Sequence, residues 1–185
     1  MRRLAGFTAV LLVIVFVVVV VNNLFPTEVS EVHQHADILL VLNGQVMNFS
    51  RAEFMSDENR SLNPVTHVHD GNGQVIHTHA AGVTLGAFFT SLNMSIDNGC
   101  FVDHTGKRFC GGVRFFVNSE EKGNPMGYVI ADLDRLLVMT GPGNPGLWLG
   151  RISQDACIYS GKCPERGVPP DEVGCGGADC YFIPG

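Results

Sequence analysis

Six of the seven histidines in this chain occur in three His-x-His pairs. The pairs are His33 with His35, His67 with His69, and His77 with His79. In a β-strand, residues i and i+2 point to the same face about 6.5 to 7 Å apart, so paired imidazoles can share one ion at bond lengths of about 2.0 Å. Imidazole ligands suit both zinc and copper. The spacing therefore predicts a zinc or copper site, provided that the ring nitrogens converge to within about 4 Å.

Residues 66–79 must position two of these pairs. They read THVHDGNGQVIHTH, which is typical of two strands around a glycine-rich turn. A three-residue loop that ends at Gly73, with this glycine in the left-handed conformation, would set His67 opposite His77 and turn both pairs to one face. A loop of two or four residues would point the pairs to opposite faces. We favour the three-residue loop and expect the first pair, together with Asp37, to complete the site from a neighbouring strand.

Two other interpretations of the histidines stay open. Clustered imidazoles gain charge as the pH falls from about 7 to 5, so they are also typical of a pH sensor. A third hypothesis is a structural surface module that presents its histidines to a protein partner at the cell exterior. The sequence shows no carboxylate pair, serine nucleophile or phosphate-binding loop that would indicate a hydrolase or a kinase.

The first histidine pair precedes a second predicted hairpin. Residues 36–49 form two apolar runs around Asn43-Gly44, a dipeptide in which both residues tolerate positive φ. With a two-residue turn, one face collects apolar side chains: Ile38, Leu40, Leu42, Met47 and Phe49. This face is the expected core side, and His33 and His35 fall on the other one.

The remaining elements indicate an α+β domain over residues 27–140. Thr84 is a candidate N-cap for a short helix over 85–92, and further strand patterns follow as far as residue 140. This order predicts a small antiparallel sheet packed on one short helix, in the manner of a β-grasp fold. Residues 141–185 are rich in glycine, proline and cysteine, and we expect them to form an irregular tail stapled by disulfides.

The cysteines form an even set of six, which favours disulfides in an oxidising compartment. They are Cys100, Cys110, Cys157, Cys163, Cys175 and Cys180. The first two would close a hairpin, whereas the spacing of the other four leaves their connectivity open. The chain has no Cys-x-x-Cys motif, but a thiol-disulfide oxidoreductase that uses Cys175 and Cys180, or Cys100 and Cys110, is the alternative to metal binding.

The N-terminus carries a membrane-spanning pattern. Residues 5–21 contain no charge, and a helix of that length is about 26 Å long, close to the hydrocarbon thickness of a bilayer. We therefore predict a transmembrane signal anchor over 5–24 that follows a cytoplasmic stretch, residues 1–4. Arg2 and Arg3 precede the span, so the charge rule places the rest of the chain outside the cell as a single-pass protein of the cell membrane. The net charge of -6 argues against nucleic acid as a partner.

Four segments together resemble a known family. They are HQHADILLVLNGQVMNFS, VHDGNGQVIHTHAAGVTLGAFFTSL, CFVDHTGKRFC and YVIADLDRLLV, which lie between residues 33 and 140. The chain is similar to a family of single-pass, extracytoplasmic proteins found mainly in archaea and little-studied bacteria, sometimes labelled protein-disulfide isomerase. The resemblance implies an extracytoplasmic placement, this domain architecture and a pairing of Cys100 with Cys110.

Overall fold

A computed structural model of the chain describes residues 32–56 and 62–169, which form a mixed α+β fold. The strands within these residues are β1 Gln34–Leu42, β2 Gln45–Val46, β3 Thr66–His67, β4 Val75–Thr78, β5 Ser95–Asp97, β6 Cys100–Val102, β7 Arg108–Phe109, β8 Val113–Val117, β9 Glu120–Lys122 and β10 Arg135–Thr140. The α-helices are α1 Leu85–Ser91, α2 Pro145–Leu149 and α3 Ala156–Tyr159, and 3-10 turns cover Ala52–Phe54, Pro125–Gly127 and Pro164–Arg166.

The larger sheet has the strand order β3-β4-β1-β10-β8-β9, with β2 also paired to β1. Its two central strands, β1 and β10, run parallel, with Ile38 opposite Leu136. The expectation of a purely antiparallel sheet is therefore wrong. Parallel neighbours require a long crossover connection, and here the chain forms α1 and a separate sheet of β5, β6 and β7 before it returns as β10.

The hairpin of β1 and β2 forms as the sequence predicts. Leu42 pairs with Gln45, so the turn has two residues, and Asn43 and Gly44 take φ values of 50° and 82°. Helix α1 also begins at the predicted cap, because the hydroxyl oxygen of Thr84 accepts a hydrogen bond from the Ala87 N–H at 3.0 Å. Local turn and cap chemistry therefore fixes both elements.

One face of the larger sheet packs on α1. Ile38 and Leu40 of β1 are buried there beside Phe88 and Phe89 of the helix. Phe89 in turn contacts Phe101 of the small sheet, with ring centroids 5.1 Å apart. The face of β1 that the alternation of apolar residues predicts as the core side therefore packs into the main apolar core.

The opposite face of the sheet is covered as well. Leu39 and Val41 of β1 form a second apolar cluster with Ile152, against which Trp148 packs. This cover comes from α2, α3 and the turns around them, so residues 145–166 are more regular than the irregular tail that the sequence predicts. A central strand whose side chains are apolar on both faces requires such a second layer.

Two disulfides occur among the described residues. Cys100 is bonded to Cys110, as predicted, and Cys157 is bonded to Cys163, which closes a short loop at α3. All four of these cysteines are therefore oxidised. Cys175 and Cys180, the remaining pair of the oxidoreductase hypothesis, lie outside the described residues.

The described residues all belong to the unit Val32–Gly185. Within them no helix has both the length and the apolar character needed to cross a membrane. The predicted cytoplasmic stretch 1–4 and anchor 5–24 lie outside the described residues, as does the end of the tail from residue 170 onward.

Candidate metal centre

The larger sheet brings the three histidine pairs together, because the strands that carry them are neighbours. In the pairing of β1 with β4, His35 lies opposite His77, and in the pairing of β3 with β4, His67 lies opposite His77. The register predicted for residues 66–79 is therefore confirmed. His77 takes the middle position, on the strand between the other two.

The turn between β3 and β4 reaches this register in a way that the sequence reading missed. The left-handed residues are Asp70 and Gly71, with φ values of 55° and 72°, and the Asn72 N–H donates to the His69 carbonyl at 3.0 Å. Gly73 does not have a positive φ, so that prediction is wrong. Its hydrogen side chain is needed because a Cβ there would lie 2.2 Å from the backbone nitrogen of Ser50.

The six rings, which we call the histidine cluster, form a closed circuit. In order around the circuit they are His33, His35, His77, His69, His67 and His79. Neighbouring ring centroids are between 3.8 and 5.3 Å apart. Four of the rings are almost completely buried, His33 is exposed, and His79 is half-buried. The cluster is therefore a ring of mostly buried imidazoles that is exposed at His33.

Three of the rings already approach the geometry of a metal site. One ring nitrogen from each of His33, His35 and His77, the first triad, lies within 4.8 Å of the others. This spacing is wider than the predicted value of about 4 Å. Nitrogens at tetrahedral positions around zinc, each about 2.0 Å from the ion, are about 3.3 Å apart. Ion binding would thus draw these rings together by small side-chain rotations.

A relay of hydrogen bonds fixes the tautomer of His35. The Ser160 hydroxyl donates to Asp132 Oδ1 at 2.6 Å, so its oxygen is left to accept from the His35 Nδ1–H at 2.8 Å. The protonated Nδ1 makes Nε2 the lone-pair nitrogen of this ring. A carboxylate behind a histidine in this way is the usual support of a metal ligand.

His67 and His69 are fixed in the same tautomer. Nδ1 of His67 donates to the carbonyl oxygen of Asn63 at 2.7 Å, and Nδ1 of His69 donates to Asp70 Oδ2 at 2.7 Å. Nε2 is again the lone-pair nitrogen of both rings. In His69 this atom is buried and has no hydrogen-bond partner among the described residues. Such a buried acceptor is costly unless a ligand uses it.

The electrostatics of the cluster favour a neutral ring at His77. Burial lowers the pKa of His77 well below its usual 6.5, and the neighbouring imidazoles, His69 first among them, lower it further. A neutral imidazole can coordinate a cation, whereas a protonated one cannot. The central ring of the cluster is therefore ready to bind metal at neutral pH.

The segment around α3 covers one side of the cluster. The Tyr159 ring lies 4.9 Å from that of His77 and 5.7 Å from that of His35, and its hydroxyl oxygen accepts from Asn72 Nδ2 at 3.3 Å. The sequence reading missed Tyr159 and the relay behind His35, because they follow that histidine by about a hundred residues or more. No local pattern signals such contacts.

Asp37 attaches this covering segment to β1 and is not placed as a ligand. Its carboxylate accepts from the Ser153 hydroxyl and from the N–H groups of Asp155 and Ala156. Burial nevertheless raises the pKa of the carboxyl group above its usual value. All three of these bonds are made by Oδ1, and Asp37 is not among the described residues whose ligand atoms converge.

Comparisons with known proteins add no assignment. Neither a protein-family model, nor a curated protein, nor a solved structure matches the chain.

Proposed function

We propose that the chain is a membrane-anchored, extracytoplasmic protein that binds zinc or copper through its paired histidines. The ligand set is drawn from His33, His35, His67, His69, His77 and His79. One observation carries the proposal: three buried histidines hold their Nδ1 protons on oxygen acceptors and keep Nε2 as the lone-pair nitrogen. Metal-binding histidines have this arrangement almost without exception.

The chemistry of the cluster favours these two metals. The donors are imidazole nitrogens, and the four described cysteines cannot act as thiolate ligands because they are in disulfides. Imidazole sites suit zinc and copper, of which copper(II) binds more tightly by intrinsic order. A pH sensor explains the cluster less well, since burial lowers the pKa of His77 well below its usual 6.5 and so favours the neutral ring.

Elemental analysis tests the metal-binding proposal. The full-length chain, purified in detergent, is loaded with zinc or with copper(II) and dialysed before the metal content is measured. We expect at least one ion per chain to be retained, and a His35→Ala, His77→Ala double variant to retain less metal than the wild type. His33→Ala removes an exposed ligand at little risk to folding and should weaken retention. His104→Ala, outside the cluster, is the matched control.

A wild-type chain that retains neither metal would overturn the proposal. So would a folded double variant that retains as much metal as the wild type. Circular dichroism of the metal-free proteins establishes that each variant is folded before its metal content is interpreted.

The cellular placement is a separate part of the proposal. It rests on the uncharged residues 5–21 and on Arg2 and Arg3 before them. We expect the chain to stay in the membrane fraction after alkaline extraction, and a protease added to intact cells to digest it. Release by alkaline extraction, or full protection from the protease, would contradict this placement.

The finer description of the fold and the family belongs to the same proposal. The parallel pairing of β1 with β10 at the sheet centre, with α1 on one face, supports a β-grasp-like domain. The four resembling segments support membership of the single-pass, extracytoplasmic family.

A further inference from the structure

The histidine cluster holds more donors than one ion needs. Structural zinc is almost always held by four ligands, and square-planar copper(II) also takes four. The cluster has six imidazoles, and the first triad uses three of them. The other three occupy the rest of the circuit and form a second triad: His67, His69 and His79.

The middle rings of the two triads are placed alike, although among the described residues only the nitrogens of the first triad converge. In the first, His35 lies 4.6 Å from each of its two neighbours between ring centroids. In the second, His67 lies 5.3 Å from His69 and 5.0 Å from His79. Both middle rings are buried, and both donate Nδ1–H to a fixed oxygen, so each offers Nε2 as the ligand atom.

Each triad also has its own carboxylate behind it. Asp132 reaches His35 through the Ser160 hydroxyl, and Asp70 accepts directly from His69. A carboxylate hydrogen-bonded to a ligand histidine offsets part of the charge of a bound cation. The two carboxylates lie at separate triads.

The buried Nε2 of His69 points to a ligand independently of the first triad. It has no hydrogen-bond partner among the described residues, and its ring is not among the three whose nitrogens already converge. Its ring centroid is 3.8 Å from that of His77, so the triads touch at this end, and they touch at the other end where His33 lies 4.6 Å from His79. Ions in the two triads would therefore share one pocket, as in two-metal sites, where the ions are about 3.5 to 4 Å apart.

We propose that the histidine cluster binds two ions of zinc or copper, the first through His33, His35 and His77 and the second through His67, His69 and His79. The proposal rests on the metal-binding function proposed above and specifies the stoichiometry and the division of ligands.

Zinc titration of the full-length, metal-free chain tests it, with the bound metal measured by elemental analysis after dialysis. We expect two zinc ions per wild-type chain. His33→Ala and His79→Ala each change one ligand at the less buried side of the cluster, and each should reduce the content to one ion. His104→Ala should keep two. The double variant His33→Ala, His79→Ala should retain fewer ions than either single variant.

Cobalt(II) provides a readout that does not depend on any variant. Two cobalt ions in one pocket should be magnetically coupled, which weakens the paramagnetic resonance signal of the fully loaded chain relative to the half-loaded one. If a variant fails to fold, the number of ions bound by the wild-type chain and their magnetic coupling still test the two-ion proposal.

A wild-type chain that binds a single zinc ion, lost in both single variants, would overturn the two-ion proposal and leave the metal-binding function intact. A wild-type chain that binds no metal would overturn both. Two ions without magnetic coupling would contradict the shared pocket.

Discussion

Acidification should destabilise the metal-free protein through His77. In the unfolded chain this histidine titrates near its usual 6.5, whereas in the fold burial and the surrounding imidazoles lower its pKa well below that value. Protons are therefore bound more tightly by the unfolded chain. The stability that depends on neutral His77 is fully present above pH 6.5 and is lost as the pH falls below it.

The size of this loss in the free energy of unfolding follows from proton linkage. Between pH 7.5 and pH 5.5, one unit either side of the usual histidine value, a histidine that is neutral in the fold lowers the free energy of unfolding by roughly 1 to 2 kcal/mol. His77→Gln removes this titrating group while keeping a polar side chain. The variant should therefore lose roughly 1 to 2 kcal/mol of the difference in stability between the two pH values.

Urea unfolding of the full-length chain in the presence of a chelator measures this difference at both pH values. His104→Gln lies outside the cluster and serves as the control, and it should keep the wild-type pH dependence. If His77→Gln showed the same loss of stability on acidification as the wild type, the neutral, buried state of His77 would be refuted. Added zinc should steepen the pH dependence of the wild type, since protons and metal compete for the same nitrogens.

Three further perturbations test the elements that position the cluster. Gly73→Ala should destabilise the protein by more than about 2 kcal/mol in thermal unfolding and weaken metal retention, because the added Cβ would lie 2.2 Å from the backbone nitrogen of Ser50. Gly123→Ala is the matched control, because nothing lies within 4 Å of the Cβ that it adds. Thr84→Ala should cost about 1 kcal/mol in urea unfolding through loss of the α1 cap, and Thr84→Ser should restore most of it. Replacing Cys100 and Cys110 by serine should cost about 2 to 3 kcal/mol in the same assay without loss of metal, since they close a hairpin of the small sheet, which carries none of the six cluster histidines. Loss of metal in a folded variant would contradict that separation.

Local sequence patterns were sufficient for much of the site. The period of two along a strand places His33 and His35 on the face opposite Ile38 and Leu40, and the structure keeps that division. The Asn43-Gly44 turn and the Thr84 cap were also readable, because their geometry depends on a few adjacent residues. These features are encoded within about four residues of the position that they determine.

The pairing of His67 with His77 was predicted correctly, but the role assigned to Gly73 in the turn was wrong. The register was right, but the glycine at position 73 serves a close approach to Ser50, more than twenty residues away. A sequence pattern indicates that a glycine is needed. It does not indicate whether the fold uses the positive φ of that glycine or its lack of a Cβ.

The sequence by itself therefore determined the histidine pairs, the faces that they share and the likelihood of disulfides, since all of these depend on spacing or composition. Only the tertiary structure decided that β10 returns parallel to β1, that the chain after residue 144 covers the second face of the sheet, and that Ser160, Asn63 and Asp70 accept the imidazole protons. Most of these contacts join elements far apart in the chain. They form because a sheet that is apolar on both faces must be covered on both, and burying the histidines then requires a fixed acceptor for each ring proton.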